Sequence, residues 1–215
     1  MVSARIQPFT SQDETDIAEA ITRAEAQTSG EIVVVAAGAS DGYRSFVIMW
    51  AALLALAVPI PLILLTNWPI EYIYLLQLAV FFVASVLFQW PPLRFALVPR
   101  SVKHLRSHQR AVEQFLAQNL HTTKGRTGVL IYVSFAERYA EVIADEGIYG
   151  KVQPSVWKDV ITELTSHLAR GTRTQGFVKA IEMCGKILAE HFPPGRFDKD
   201  ELPNHLIVLD VYGTP

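Results

Sequence analysis

Two long apolar runs constrain this chain more than any other feature of its sequence. Residues 46–65 (FVIMWAALLALAVPIPLILL) carry no charge, and residues 72–90 (YIYLLQLAVFFVASVLFQW) are also uncharged, with Gln77 and Ser85 as polar interruptions. Each run is about 20 residues long, which is enough for an α-helix to cross the ~30 Å hydrocarbon core of a bilayer. The sequence therefore predicts a transmembrane helical hairpin, with a kink in its first span at Pro59 and Pro61.

The rest of the chain is sufficient for one domain. Residues 1–45 and 91–215 can form one core of medium size, but they are too few to cover both apolar runs as the buried hairpin of a soluble protein, which is the alternative. The mean hydropathy of +0.23 also favours a membrane protein. A net charge of -2 gives no basic field of the kind that nucleic-acid binding needs, so we expect no nucleic-acid partner.

Basic residues predict the orientation of the hairpin. The loop TNWPIE at residues 66–71 has no Lys or Arg, whereas the flanks of the hairpin carry Arg44, Arg94, Arg100, Lys103, Arg106 and Arg110. The positive-inside rule places the loop outside and both flanks in the cytoplasm. The lone Cys184 excludes an intrachain disulfide and fits a reducing compartment. The N-terminal residues have no basic segment followed by an apolar one, so we expect no cleavable signal peptide.

The flanks have the pattern of an α/β domain. Thr10 or Ser11 can begin a helix, and Glu31–Ala37 (EIVVVAA) is a β-branched run typical of a central strand that is buried on both faces. After the hairpin we expect a helix at 101–120, a strand hairpin at 128–135 and 139–145, a helix from Pro154 to a stop at Gly171, a helix at 177–191 and a short edge strand at 206–209. We predict that Glu31–Ala37 pairs with 128–135, because neither flank alone can cover it.

Several of these segments resemble the TPM-domain family: TSGEIVVV at 28–35, GVLIYVSFAERYAEVIADEGI at 128–148, Trp157, and HFP at 191–193. Members of that family include thylakoid-lumen proteins linked to photosystem II repair, a nematode modulator of acetylcholine receptors and bacterial membrane proteins. The resemblance implies an α/β sandwich, divided here into 1–45 and 91–215 by a hairpin at 46–90. The chain is most similar to the bacterial subgroup built in this way, which implies a two-pass protein of the inner (cell) membrane.

Asp145 and Glu146 are the candidate metal ligands. They follow a strand and precede a glycine, and hard carboxylate oxygens at such a strand end can bind Ca²⁺ or Mg²⁺, with Asp41 or Asp159 as a further ligand. A solvated acidic turn is the alternative, because two adjacent acids do not complete a coordination shell. Asp198, Asp200 and Glu201 alternate like the start of a calcium loop, but the glycine and the distal Glu of that motif are missing.

Other reactive residue types have simpler interpretations. His104 and His108 have the spacing of a zinc-protease helix, but Leu105 stands where that motif has its general-base Glu, so we interpret them as juxtamembrane residues. Cys184 lies on the apolar stripe of a predicted helix and is interpreted as a core residue. Glu31 at the start of a buried strand is either functional or hydrogen-bonded to backbone. The sequence has no signature for acyl transfer, nucleotide hydrolysis or dinucleotide binding.

Two functions follow as hypotheses. The first is a non-enzymatic, membrane-anchored module that binds other membrane proteins during their assembly, repair or turnover, with the lipid bilayer as its second partner. The second is a divalent-metal-dependent phosphatase that uses the acids near Asp145, an activity that the resemblance to some plant relatives implies. Phosphoryl transfer needs a metal and positioned charged groups, of which the sequence offers one acidic pair.

Overall fold

The structure is a computed structural model, and it describes residues 9–195 and 202–209. These residues form nine α-helices and four strands, with a 3₁₀ turn at Leu120–Thr122. In chain order the elements are α1 (Ser11–Glu25), β1 (Glu31–Ala37), α2 (Arg44–Ala57), α3 (Pro59–Leu65), α4 (Ile70–Leu87), α5 (Pro91–Ala96), α6 (Arg100–Ala117), β2 (Gly128–Ser134), β3 (Tyr139–Ala144), α7 (Glu146–Tyr149), α8 (Pro154–Ala169), α9 (Arg173–His191) and β4 (Leu206–Leu209).

The four strands form one sheet in the order β3-β2-β1-β4. β1 runs parallel to β2 in a register that aligns Glu31 with Gly128 and Ala37 with Ser134, and it also runs parallel to β4. β2 and β3 are antiparallel. The prediction that β1 pairs with a strand from beyond the apolar hairpin is therefore confirmed, and so is the predicted edge strand at the C-terminal end.

Helices cover both faces of the sheet. On one face, alternate residues of β1 such as Ile32 and Val34 pack with apolar residues of α1, α8 and α9. On the other face, Val33 and Val35 pack with Ala111 and Phe115 of α6. All seven residues of β1 are buried, as expected for a continuous apolar run in a strand that is covered twice. The fold is thus α/β, as predicted.

Local signals account for most helix boundaries. Thr10 caps α1 through a capping box with Asp13, and α8 begins at Pro154. Gly171 has φ +80, the left-handed conformation that commonly follows the last turn of a helix, and α8 ends before it. α9 begins at Arg173, four residues before the predicted start. α5 and α7 were not predicted, because helices of six and four residues are too short to show an apolar period.

The apolar hairpin consists of α2, α3 and α4. α2 ends at Ala57 and α3 begins at Pro59, so the predicted kink occurs where proline cannot donate a backbone hydrogen bond. Arg44–Leu65 and Ile70–Leu87 are both long and apolar enough to cross a membrane by length and composition. α2 and α4 pack against each other, with small buried residues such as Ala51, Ala55 and Ala84, while most of the larger apolar side chains point outward.

Candidate functional site at the junction of the sheet and the hairpin

The carboxyl ends of the parallel strands β1 and β2 lie together along one margin of the sheet, its carboxyl edge, which runs across the strand ends. Residues 38–43 leave β1 at this edge and lead into α2, and the turn at residues 135–138 joins β2 to β3 beside them. Backbone bonds connect the two segments, because the amide of Ala136 donates to the carbonyl of Gly38 (3.1 Å). Ligands of open α/β sheets generally bind at the carboxyl ends of the strands, so this edge is a candidate site.

Glu137 is the central group at this edge. Its side chain is buried, with only 6% of the residue exposed. The Oε1 atom accepts hydrogen bonds from the Tyr43 hydroxyl (2.9 Å) and from the Ser40 amide (3.1 Å). The Oε2 atom accepts a bond from the Ser134 hydroxyl. One carboxylate thus connects the β2–β3 turn to the segment that enters the hairpin.

Ser40 extends these contacts to α6. Its hydroxyl donates to Ser107 Oγ (3.0 Å) and lies 3.0 Å from the Tyr132 hydroxyl of β2. We call Ser40, Tyr43, Ser107, Tyr132, Ser134 and Glu137 the junction network. It joins the sheet, the entry to the hairpin and the first long helix after the hairpin through side chains that are mostly buried.

Tyr43 fixes the point where the hairpin begins. It has φ 48, a left-handed conformation, and the residue is 1% exposed. The ring makes edge-to-face contacts with Phe46 of α2 (6.5 Å between centroids) and Phe95 of α5 (5.6 Å). Because left-handed backbone is unfavourable for a residue with a side chain, these contacts must hold the conformation.

The electrostatics of the junction network favour hydrogen bonding over proton transfer. Burial raises the pKa of Tyr43, and the neighbouring Glu137 carboxylate raises it further. Burial also raises the pKa of Tyr132. Both phenols therefore stay protonated near neutral pH and act as hydrogen-bond donors. At the rim, Arg106 Nε lies 3.4 Å from Asp41 Oδ2, which adds a partly exposed ion pair between α6 and the entry segment.

Glu137 is a site residue that the sequence does not predict. Residues 136–138 have the pattern of a charged turn between two strands, and an acid in a turn is usually solvated. The partners that bury Glu137, Ser40 and Tyr43, lie 97 and 94 residues earlier in the chain. No signal at short range could have indicated the contact.

The predicted metal ligands Asp145 and Glu146 lie at the opposite edge. β3 is antiparallel to β2, so the end of β3 meets the amino-terminal ends of β1 and β2, and the Asp145 amide donates to the carbonyl of Gly128 (2.9 Å). Asp145 is buried and caps α7, with Oδ1 accepting a bond from the Glu146 amide (2.7 Å). Arg126 contacts both acids, at 3.5 Å from Asp145 Oδ2 and 3.4 Å from Glu146 Oε2.

The third ligands considered for that metal do not come near. Asp41 follows the far end of the seven-residue β1, about 23 Å along the strand at 3.3 Å per residue. Asp159 lies on the exposed face of α8. Within 9–195 and 202–209, no three His, Cys, Asp or Glu side chains are grouped closely enough to hold a metal ion. The metal assignment to Asp145 and Glu146 stays a prediction, and the acids at 198–201 lie outside the described residues.

The remaining candidates have structural partners. His108 Nδ1 lies 3.0 Å from both carboxylate oxygens of Glu141, and the His104 ring lies 5.4 Å from the ring of Tyr139, so both histidines attach α6 to β3. Cys184 is fully buried in the core, and burial raises the pKa of its thiol to about 12. A thiol of that pKa stays protonated and is a poor nucleophile.

Comparisons with known proteins agree with this fold. The family model of the TPM domain matches residues 92–187, from α5 into α9. The NMR structure of the BA42 protein from the psychrophilic bacterium Bizionia argentinensis is similar, with a TM-score of 0.59 and 23% identity over 96% of this chain and 99% of that chain. No curated protein matches. The structural likeness concerns the fold, and the family match shows that residues 92–187, just under half of the chain, are similar to the TPM domain.

Proposed function

We propose that this protein is a two-pass membrane protein whose TPM domain is held at the cytoplasmic surface of a bacterial inner membrane, where it acts as a non-enzymatic module that binds other membrane proteins during their assembly, repair or turnover. The observation that carries the proposal is the apolar hairpin between two strands that pair in one sheet. A domain built around such a hairpin cannot move away from the hairpin without losing its central strand pair.

The exposure of the hairpin supports its insertion into lipid. Only 17% of the most apolar window in Arg44–Leu65 and 11% of that in Ile70–Leu87 is buried inside the molecule. The core helix of a soluble protein is mostly buried. Leu64, Leu65 and Ile70 expose more than two thirds of their surface, and apolar surface on this scale needs lipid or a partner to cover it. At 1.5 Å per residue, 22 and 18 residues extend about 33 and 27 Å, the thickness of a hydrocarbon core.

The distribution of charge supports a cytoplasmic domain. The loop at 66–69 between α3 and α4 has no basic residue, while Arg44 is the first residue of α2 and Arg94, Arg100 and Lys103 follow α4. Basic residues near the ends of spans stay on the cytoplasmic side. Both flanks then lie on the cytoplasmic side, where β1 of the first flank can pair with β2 of the second.

The junction network supports a role in binding. Its hydrogen bonds fix residues 40–43, the segment that leads into α2, to Glu137 and to Ser107 of α6, so the hairpin is not joined to the domain by a flexible linker. A domain fixed at the bilayer searches a thin layer for its partners, and this raises their effective concentration without any new contact. Membrane proteins are the partners that share that layer.

A metal-dependent phosphatase that uses Asp145 and Glu146 is the alternative. The Arg126 guanidinium already lies within 3.5 Å of both acids, so a divalent cation would have to compete with it. To test the alternative, purify the full chain in detergent and measure phosphate release with Mg²⁺, Mn²⁺ or Ca²⁺, beside the double variant Asp145→Asn, Glu146→Gln. We expect no metal-dependent turnover. Turnover that the double variant lacks would favour the phosphatase.

The topology test is a pair of reporter fusions in a bacterial host. We expect a reporter fused after Pro215 to behave as cytoplasmic and one inserted at Asn67 to behave as external. An external C-terminus, or extraction of the chain by alkaline carbonate, would refute the proposal. The binding role is tested by cross-linking in intact membranes followed by purification in detergent, where we expect a specific membrane protein to be recovered.

A further inference from the structure

A set of arginines from distant parts of the chain lies at the end of the domain where the hairpin enters. The β2–β3 turn carries Arg138, which is exposed and has φ 52, next to Glu137 of the junction network. The end of α8 carries the exposed Arg170, and the first residue of α9 is Arg173. None of the three is close to the hairpin in sequence, so the basic flanks of the hairpin do not include them.

A cleft shows that the end of α8 lies beside the β2–β3 turn. The cleft has a volume of about 510 Å³, and its lining includes Arg138 of the turn, Phe135 of β2's end, and Thr165, Leu168 and Ala169 of α8. Arg170 follows Ala169 directly and is held by a bond from its Nη2 to Ser166 Oγ (3.1 Å). Arg138 therefore lines a cleft of mixed polarity, and Arg170 directly follows one of its lining residues.

The start of α9 lies at the same end. The Thr174 hydroxyl donates to Asp13 Oδ1 (2.6 Å), which joins the first turn of α9 to the first turn of α1. Arg173 lies over the Phe9 ring at 5.1 Å, just before α1. Since α1 leads through a short turn into β1, its first turn lies toward the carboxyl edge of the sheet, where the hairpin begins.

Three carboxylates at this end are engaged, while Glu14 in the first turn of α1 is exposed. Asp13 accepts bonds from Thr10 and Thr174, Asp41 pairs with Arg106, and Glu137 is buried in the junction network. Arg138 and Arg170, by contrast, have no carboxylate among the ion pairs found in the described residues. Both residues are exposed at the end of the domain from which the hairpin leaves β1.

We propose that Arg138 and Arg170 bind anionic phospholipid headgroups of the bilayer that holds the hairpin, and so orient the domain against the membrane. The inference rests on the proposed membrane insertion. Guanidinium groups bind phosphates through two parallel hydrogen bonds, and basic residues within about 10 Å of an anionic surface are attracted to it. The arginines therefore form a second contact with the bilayer, which comes from the domain itself.

The test uses the full chain in lipid nanodiscs of phosphatidylcholine alone or mixed with phosphatidylglycerol. A fluorophore is attached to Gln175→Cys, on the first turn of α9, and a spin-labelled headgroup quenches it at short range. The native Cys184 is buried and does not take the label. We expect at least twofold stronger quenching in the anionic discs, and we expect high salt to remove the difference.

Charge variants identify the residues responsible. We expect Arg138→Gln, Arg170→Gln to remove at least half of the extra quenching. The matched control is Lys158→Gln, Lys186→Gln, which removes the same charge from exposed positions on the opposite halves of α8 and α9, and it should leave the quenching unchanged. Circular dichroism shows whether the variants are folded. The salt dependence of quenching in the labelled protein that keeps Arg138 and Arg170 tests the proposal without any charge variant.

Equal quenching of the wild type in both kinds of disc would overturn the inference and assign the arginines to a protein partner. An equal loss of the extra quenching in the control variant would show that the net charge of the domain, and no specific site, causes the effect. That result would also overturn the inference. A chain that fails to co-elute with the discs would refute the proposed membrane insertion itself. Failure of the inference alone is therefore distinguishable, because the chain would then co-elute but show no dependence on anionic lipid.

Discussion

Glu137 is the residue on which the connection between the domain and the hairpin most depends. A buried carboxylate is stable only when hydrogen bonds replace its lost hydration, and Glu137 receives them from two hydroxyls and one amide. Two of these donors, Ser40 and Tyr43, belong to the segment that leads into α2. The contribution of each donor can be measured separately, because removing one hydroxyl leaves the carboxylate with other partners.

Replacing Tyr43 by Phe tests this contribution. The phenol donates to Glu137 at 2.9 Å, and a hydrogen bond to a charged group contributes about 1.5–3 kcal/mol. We expect Tyr43→Phe to lower the melting temperature in detergent by roughly 3–10 °C for a chain of this size. Tyr149→Phe, at a residue that is 57% exposed, is the control and should have no effect. Equal effects of the two changes would contradict the role of the junction network.

The capping carboxylate of Asp13 predicts a pH dependence. Bonds from the Thr174 hydroxyl, and then from Thr10, lower its pKa to about 2. The unfolded value is near 3.9, so the stabilisation by this carboxylate is present above about pH 4 and is lost as the pH falls through about 2. We expect Asp13→Asn to lower the melting temperature at pH 6, with a difference from the wild type that closes as the pH falls from 4 to 2.

The control for Asp13 is Glu14→Gln, which removes the same charge from an exposed position in the same turn. Melting curves across the pH range, recorded by circular dichroism in detergent, provide the measurement. A difference between Asp13→Asn and the wild type that persists unchanged at the lowest pH would show that the stabilisation comes from something other than the ionised carboxylate.

At the scale of elements, α7 is held by a close approach of backbones. The Gly147 amide donates to the Arg126 carbonyl (3.1 Å), and a Cβ at Gly147 would lie 2.5 Å from the Gly125 carbonyl oxygen. We expect Gly147→Ala to destabilise the domain by about 1–3 kcal/mol, because backbone atoms would have to move. Gly150 ends the same helix with φ -72, and a Cβ there would meet no heavy atom within 4 Å, so Gly150→Ala should be neutral or stabilise by up to about 1 kcal/mol.

Thermal unfolding of these two variants, side by side, gives a clear contrast. The same chemical change is made three residues apart on one short helix, so differences in propensity are small and the contact with residues 125 and 126 dominates. If Gly147→Ala proved as stable as Gly150→Ala, the packing of α7 against residues 125 and 126 would have to be looser than the structure shows.

The elements differ in how far the sequence could predict them. Glu31–Ala37 was predicted with its observed boundaries, because a mainly apolar run of seven residues between Gly30 and Gly38 leaves little choice of strand. The start of α8 was predicted at Pro154 for a similar local reason. The prediction that Asp145 follows the end of a strand is correct. Which ends of β1 and β2 it lies beside, however, depends on the antiparallel direction of β3, and that direction could not be predicted from the residues around Asp145. Glu137 depends on partners from the other side of the hairpin, and no local pattern encodes such a contact.

At the scale of the whole molecule, the two neighbours of β1 both come from after the hairpin. β2 and β4 pair with it on either side, so residues 9–43 have no sheet of their own. Cutting the loop at 66–69 should therefore leave the two halves associated. We expect an engineered protease site in this loop to yield two fragments that still co-elute in detergent as one species.

Val34→Asp is the matched variant for this experiment. Val34 is fully buried at the middle of β1, and an unpaired carboxylate there costs several kcal/mol. We expect the cut fragments of this variant to separate, or to be held only by the packing of α2 on α4. Separation of the fragments in the wild type as well would show that the β1–β2 pairing is too weak to hold the domain together.

The parallel pairing of β1 with β2 also sets the order of events during synthesis. Translation completes β1 at Ala37 but does not reach Gly128 until the hairpin and α6 have been made, a delay of roughly 5–20 s at the usual speed of the ribosome. Throughout this time a mainly apolar strand of seven residues has no partner, and such strands are prone to aggregate. We therefore expect the nascent chain to need a chaperone on EIVVVAA or, if the hairpin enters a membrane as proposed, early delivery to the insertion machinery, after which the domain can close.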